Sequence, residues 1–264
     1  MTRYIRYRNN SSTAYGILDG ELVRELRGEP WGGPSETAIT HQLARLQLLN
    51  PCQPTKVLAV GRNYKSHLGN RTHPQHPEIF LKPLTALQDP EGAIIIPRDA
   101  TDVHYEGEMV IVIGKRAKGI SSEEAPAAIF GVTAGNDVTE RNWQYGERKD
   151  VQWWRAKGSD TFAPAGPAIV RGIDYDNLLL QTRVNGELVQ RERTSDLIFD
   201  CATVVSWISG WVTLLPGDII FTGTPGATRR LSPGDVVEVE LEEAGVLRNP
   251  VAQEAISDQQ SAVS

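Results

Sequence analysis

The chain has 264 residues, 40% of them apolar and 23% charged, with a formal net charge of −6. That length can bury a sizeable core, and the composition is that of an ordinary globular protein. The mild acidity argues against nucleic acid or an anionic membrane as partner, so an anionic substrate would need a local cation or a metal.

The opening residues MTRYIRYRNN contain no apolar run that could serve as a signal peptide. The longest apolar stretches, such as Ile198–Ile208, are broken by Asp200 or too short to span a bilayer. Cys52 and Cys201 show no CxxC spacing and read as isolated thiols of a reducing, cytoplasmic environment.

Residues 1–54 read as a small β-rich domain. Ala14–Leu18 and Glu21–Val23 flank Asp19-Gly20, a two-residue hairpin signal, and Ile39–Leu49 carries a spacing that predicts a short helix before Pro51. The main body, residues 55–251, begins with Lys56–Val60, a buried strand ending at Gly61. Further strands are predicted at Ala93–Ile96, His104–Ile113, Ile219–Phe221 and Val236–Leu241, the last two each preceded by a Pro-Gly-Asp turn. Leu178–Val184 and Glu187–Gln190 flank Asn185-Gly186, the clearest hairpin signal in the chain. Helical spacing is confined to Ser122–Ala128, Val138–Arg148 and Phe199–Trp211. The tail, residues 252–264, is polar and reads as disordered. The class is α+β, mostly β, with rolled or barrel-like mixed sheets rather than a doubly wound parallel sheet.

The segment His104-Tyr105-Glu106-Gly107-Glu108-Met109-Val110-Ile111-Val112-Ile113 carries the strongest chemical signal. Period-two alternation points Glu106 and Glu108 to one side, where the strand runs into a buried apolar stretch. Two like charges there cost several kcal/mol unless neutralised, and oxygen-only ligands favour Mg²⁺, Mn²⁺ or Ca²⁺ over zinc. An edge strand with its polar face in water explains the pair equally well. Asp137 lies where an apolar strand gives way to a helix, as a helix N-cap or as a third carboxylate.

Further segments follow in order: Gly61-Arg62-Asn63-Tyr64 with His67; Phe80-Leu81-Lys82-Pro83; Glu106-x-Glu108; Asp137-x-x-x-Arg141-x-x-Gln144; Ala156-Lys157; Val184-Asn185-Gly186; and Gly217-Asp218-x-x-x-Thr222-Gly223-Thr224-Pro225. With these residues the sequence resembles the fumarylacetoacetate hydrolase family over nearly the whole main body. The resemblance implies a divalent metal on Glu106, Glu108 and Asp137, rolled β-sheets around the site, and a homodimer. It implies a small 2-oxo acid as substrate, chelated by a metal that stabilises the enolate. Lys157 and Gln144 then contact the substrate or a metal-bound water, Arg62 and Lys82 supply further cations towards it, and Gly223 with Thr224 cradles its carboxylate. Arg141 reads as structural, pairing with a buried carboxylate.

His67 is the expected general base. Acylpyruvases of the family place a glutamate three residues later to partner this histidine, and here that position is Asn70. Without the carboxylate His67 is less basic, unless Glu78 folds back onto it. His73-Pro74-Gln75-His76-Pro77 reads as part of a lid rather than a zinc site. The leading expectation is a hydrolase cleaving a C–C bond of a 2,4-dioxo acid such as fumarylpyruvate. The alternative, to which Asn70 points, is a decarboxylase or keto–enol isomerase of a 2-oxo dicarboxylate such as oxaloacetate or an intermediate of homoprotocatechuate breakdown. A non-enzymatic, metal-stabilised binding protein is discouraged by the coincidence of Lys157, His67 and Gln144 with site positions.

Overall fold

Alternating apolar runs dominate the chain, and in the computed structural model, which describes residues 1–255, they become strands joined by short turns. The N-terminal region holds β1 (Thr2–Asn9), β2 (Ser12–Asp19), β3 (Leu22–Arg27), β4 (Ser35–Gln42) and β5 (Gln47–Leu49). β1 follows a period of two that buries Ile5 and Tyr7 and puts Arg6 and Arg8 on the other face. The first hairpin turns at Gly20-Glu21, one residue later than the sequence suggested, because Asp19 still pairs with Leu22. No helix forms over Ile39–Leu49. β4 pairs with β3, Leu43–Arg45 is a 3-10 turn, and β5 pairs with β1. The β-branched Thr37, Ile39 and Thr40 suit a pleated strand, and cross-strand pairing decided the conformation.

The main body contributes β6 (Val57–Gly61), β7 (Glu78–Lys82), β8 (Leu87–Gln88), β9 (Ile94–Ile96), β10 (Val103–His104), β11 (Gly107–Ile113), β12 (Ile129–Asn136), β13 (Thr139–Glu140) and β14 (Ala163–Arg171). After these come β15 (Leu179–Val184), β16 (Glu187–Arg193), β17 (Ile219–Phe221), β18 (Val236–Leu241) and β19 (Gly245–Gln253). Helices are few and short: α1 (Lys65–Leu68), α2 (Arg141–Tyr145), α3 (Trp154–Gly158) and α4 (Cys201–Trp211). Ser122–Ala128 yields only a 3-10 turn at Ala125–Ala127, since Pro126 lacks the amide a longer helix needs. The helix expected over Val138–Arg148 shrinks to α2 because Thr139 and Glu140 first pair with β10. α4 starts where Asp200 accepts a hydrogen bond from the Thr203 amide at 2.7 Å.

The large sheet runs β4-β3-β2-β1-β14-β12-β11-β17-β6-β7, with β5 and β8 attached to β1 and β14. The N-terminal strands therefore extend the central sheet through the β1–β14 pairing. A second sheet, β16-β15-β18-β19-β9, packs on it. Between them lies the main core, drawing Ile111 and Val132 from one sheet, Leu180, Val239 and Leu247 from the other, and Val204, Val205 and Ile208 from α4. The fold is mostly β with mixed, rolled sheets, as the turn-rich sequence suggests. In the turn between β15 and β16, Asn185 and Gly186 both adopt positive φ, +54° and +80°, as such a two-residue hairpin requires.

The start of the expected disordered tail is instead ordered. Ala252 and Gln253 belong to β19 and pair in parallel with Ile95 and Ile96, because β9 offers a free edge. The rest of that prediction, residues 256–264, lies outside the described residues. Both cysteines are buried free thiols. No helix among the described residues is long and apolar enough to cross a membrane.

Candidate active site

The acidic segment is not one continuous strand. β10 ends at His104 and β11 starts at Gly107, so Glu106 sits in the break while Glu108 lies within β11. Asn136, the last residue of β12, holds that break by accepting the Glu106 amide on Oδ1 at 2.9 Å. The next residue, Asp137, donates its own amide to the Glu106 carbonyl at 2.9 Å. The three carboxylates thereby converge: one oxygen from each of Glu106, Glu108 and Asp137 lies within 4.8 Å of the others, and all three side chains are buried. The N-cap of α2 is Glu140, whose carboxylate accepts from the Trp143 amide at 2.5 Å, which leaves Asp137 for the cluster.

Cations crowd two of the three. Lys157, on α3, donates to Glu106 Oε2 and Asp137 Oδ2, each at 2.5 Å. Arg141 Nη2 donates to Glu106 Oε1 at 2.5 Å, and Lys82 pairs with Asp137. Burial works to raise the Glu106 carboxyl, but Arg141, Lys157 and His67 outweigh it and hold the group well below the usual carboxylate range. Lys157 moves up from the usual lysine value. Burial opposes that shift, and the charges of Asp137 and Glu106 overcome it. Lys82 moves down, because burial exceeds the attraction of Asp137.

Glu108 differs. It forms no ion pair among the described residues; its Oε2 accepts the Gly223 amide at 2.7 Å. Burial, then Asp137 and Glu106, push its carboxyl well above the ordinary value. A buried, oxygen-only donor set with one carboxylate lacking a cation fits a hard divalent ion bound by Glu106, Glu108 and Asp137.

The other expected site residues divide between the cavity and its walls. Arg62, His67, Gln144, Lys157 and Thr224 line one cavity with the three carboxylates. Gln144 accepts from Arg141 Nη1 at 2.7 Å. Lys82 is absent from that lining, and its side chain, 0% exposed, reaches Asp137. The turn Thr222-Gly223-Thr224 does cradle a carboxylate, but it is that of Glu108. The Gly223 amide is committed to it, and the Thr224 hydroxyl donates to the Gly107 carbonyl at 2.9 Å. Gly223 has φ +105°, and a Cβ there would stand 2.8 Å from that of Asn63, so the turn requires glycine.

His67 closes the cavity from α1. Its Nδ1 lies 2.6 Å from the Gly226 carbonyl and its Nε2 3.9 Å from Glu106 Oε1. Asn70 is exposed, and Glu78 pairs with Arg62. The ring of His76 stacks on Trp207 at 5.1 Å, and the metal-ligand grouping found among the described residues is Glu106, Glu108 and Asp137 alone.

Several buried residues build the site without a role expected from the sequence, although Asn63 belongs to the Gly61-Arg62-Asn63-Tyr64 motif. Gln190 donates to Thr224 Oγ1 and the Pro225 carbonyl and accepts the Gly107 amide, tying the acidic strand to the 223–225 turn. Asn63 donates to the carbonyls of Thr222 and Phe199 and accepts the Phe199 amide. Glu140 accepts from the amides of Thr101 and Asp102 as well as Trp143, joining α2 to the segment that leads into Glu106.

A rolled β-core whose polar cavity gathers three buried carboxylates beside a lysine, an arginine, a glutamine and a histidine defines a carboxylate-centred site of the kind the sequence resemblance implies. The chain belongs to the fumarylacetoacetate hydrolase family: the family model for the fumarylacetoacetate (FAA) hydrolase C-terminal region matches residues 56–252, and an Rv2993c-like N-terminal model matches residues 2–51. The structure of a 2-hydroxyhepta-2,4-diene-1,7-dioate isomerase from Mycobacterium marinum superposes with a TM-score of 0.89 at 40% identity, over 97% of this chain and 100% of that one. The mitochondrial oxaloacetate tautomerase FAHD2B of Bos taurus is 43% identical over 211 residues, 75% of this chain and 67% of its own length. A maleylpyruvate hydrolase from Sphingobium sp. SYK-6, solved with manganese(II) and pyruvate, superposes with a TM-score of 0.77 at 26% identity, over 96% of this chain and 100% of that one.

Proposed function

We propose that the protein is a divalent-metal-dependent keto–enol isomerase of a small 2-oxo acid. The observation that carries this reading over hydrolysis is the environment of His67. Its Nδ1 faces a backbone carbonyl, which only accepts, so Nδ1 carries a proton and in the neutral ring the lone pair is on Nε2. Among the described residues no carboxylate meets Nδ1: Asn70 is exposed, Glu78 is engaged by Arg62, and Glu106 lies on the Nε2 side. A lone imidazole suffices to shuttle a proton between carbon and solvent, whereas activating water for C–C cleavage gains from a carboxylate partner.

Mg²⁺ or Mn²⁺ on Glu106, Glu108 and Asp137 would supply a Lewis acid for the 2-oxo and carboxylate oxygens of the substrate. The chain's own groups do the rest. Lys157, held between Glu106 and Asp137, keeps a positive charge beside the 2-oxo oxygen as negative charge develops there. His67 Nε2 takes the proton from the carbon next to the 2-oxo group and returns it in the reverse direction. Arg141 steadies Glu106 and Gln144 together. The isomerase and the tautomerase similar to this chain support the same class of reaction.

Cleavage of a 2,4-dioxo acid is the second reading, favoured by the likeness to the maleylpyruvate hydrolase. The two separate in one assay. Purified protein with Mg²⁺ or Mn²⁺ is offered enol-oxaloacetate, acetylpyruvate and fumarylpyruvate, followed by ultraviolet absorbance. We expect faster ketonisation of oxaloacetate without pyruvate release from the acylpyruvates. Rapid pyruvate release would replace isomerisation by hydrolysis, and turnover of none would sink both. His67→Asn should slow the isomerisation by about 10²–10⁴-fold while metal affinity stays within a factor of about two.

A further inference from the structure

The cavity that holds the carboxylates is about 20 Å³, room for about one water. Beside it lies an open groove of about 1480 Å³. Arg62, Phe80, Tyr145 and Trp153 line both and so form the wall between them. Arg62 is the one charged member of that wall. The other arginine and the lysine of the inner cavity, Arg141 and Lys157, are committed to Glu106 and Asp137. Of the other cations of the groove, Lys56 and Lys82 pair with Asp218 and Asp137, and Arg71 sits over the Tyr145 ring. Arg62 is therefore the cation that the groove shares with the inner cavity and offers to a second carboxylate away from the 2-oxo end.

Arg62 already holds a carboxylate. Its Nε donates to Glu78 Oε2 at 2.6 Å and its Nη2 to Glu78 Oε1, a two-pronged pair. The backbone beneath it is fixed. Arg62 sits in the left-handed region at φ +57°, and the next residue, Asn63, is fully buried and bonded to Thr222 and Phe199. The side chains are free by comparison, 30% exposed for Arg62 and 29% for Glu78. Replacing Glu78 by a ligand carboxylate exchanges like for like at a half-wet site, where an ion pair holds weakly.

We infer that Glu78 is an internal stand-in for the distal carboxylate of the substrate, occupying Arg62 until a 2-oxo dicarboxylate displaces it. Glu78 then acts as a built-in competitor. A diacid must displace it to reach Arg62, whereas a monocarboxylate leaves the Arg62–Glu78 pair intact and gains nothing from Arg62, so Glu78 holds the preference for diacids below what Arg62 alone would give. This inference rests on the 2-oxo acid reading above.

The test is calorimetric and needs no turnover. The full chain, loaded with Mg²⁺, is titrated with pyruvate and with 2-oxoglutarate, and the ratio of the two affinities is read. Wild type should favour 2-oxoglutarate. Glu78→Gln, which keeps the shape but loses the charge, should raise that preference about tenfold. Arg62→Gln should erase it, and Arg62→Lys, which keeps the charge without the fork, should fall between. A Glu78→Gln variant that weakens both ligands equally, or an unchanged ratio in Arg62→Gln and Arg62→Lys, would show a merely structural pair and overturn the inference alone. Failure of the wild type to bind either ligand would overturn the 2-oxo acid reading and this inference with it.

Discussion

The arginine ion pairs of the N-terminal strands face water, and the charges at the acidic cluster do not. Arg3 on β1 meets Glu243 with 36% and 43% of their side chains exposed, and Arg24 meets Glu36 at 40% and 51%. At the cluster, Glu106, Asp137, Lys82 and Lys157 are between 0% and 5% exposed, yet all are ionic. An exposed pair loses little when broken, because water takes over both partners. A buried group has no such recourse, so each member of the cluster is held in place by the others. The N-terminal sheet is therefore tolerant and the cluster is not, although the N-terminal strands and the strands that carry Glu108 and Lys82 belong to one twelve-stranded sheet.

The sharpest way to break this contrast is Asp137→Ala, which strands Lys82 in the interior and leaves Lys157 with Glu106 alone. We expect a loss of about 3–5 kcal/mol in chemical denaturation and loss of Mn²⁺ binding by electron paramagnetic resonance. Retained stability would mean that the cluster behaves like the surface. Gly107→Ala, between the two glutamates, should cost about 1–3 kcal/mol by overpacking, because a Cβ there would stand 1.9 Å from the buried Thr182 hydroxyl.

The pH dependence sharpens the same comparison. Glu108 is raised in the fold, so the folded state holds a proton that the unfolded chain releases. Its contribution is present below the ordinary carboxylate range and is lost as pH rises through its raised value. Glu106, held low, acts in the opposite sense: its contribution is lost as pH falls through its folded value. The metal-free protein should thus lose melting temperature as pH climbs above the ordinary carboxylate range, and Mg²⁺ should restore it. In Glu108→Gln that loss should flatten in scanning calorimetry; an undiminished slope would place the proton elsewhere. At the small end, Arg3→Ala should change stability by less than about 1 kcal/mol, and a larger loss would show that the N-terminal strands lean on their charges after all.

Much of the fold is legible in local pattern. Asn185-Gly186 announces a hairpin because few other residues accept two positive φ angles in succession, and the apolar spacing of Phe199–Trp211 announces α4, which begins once Asp200 has capped it. Ile39–Leu49 misleads because an apolar spacing in a short segment suits helix and strand alike, and the waiting edges of β3 and β1 decide. The three carboxylates are legible as candidates, since acidic residues beside a buried strand demand neutralisation.

Local pattern marks most strands of the main body, the Asn185-Gly186 turn, and the need of Glu106, Glu108 and Asp137 for an answer to their charge. What answers each of them is set by the packed fold. Glu108 receives an amide 115 residues away, from the turn expected to cradle a substrate. Asp137 receives Lys82 across 55 residues, which turns an expected substrate contact into a buried support. Glu78 meets Arg62 rather than His67 because β7 lies antiparallel to β6 with Gly61 opposite Glu78. Local propensity acts over a few residues, whereas these partnerships arise from strand order and register, which depend on how the whole chain buries its apolar faces.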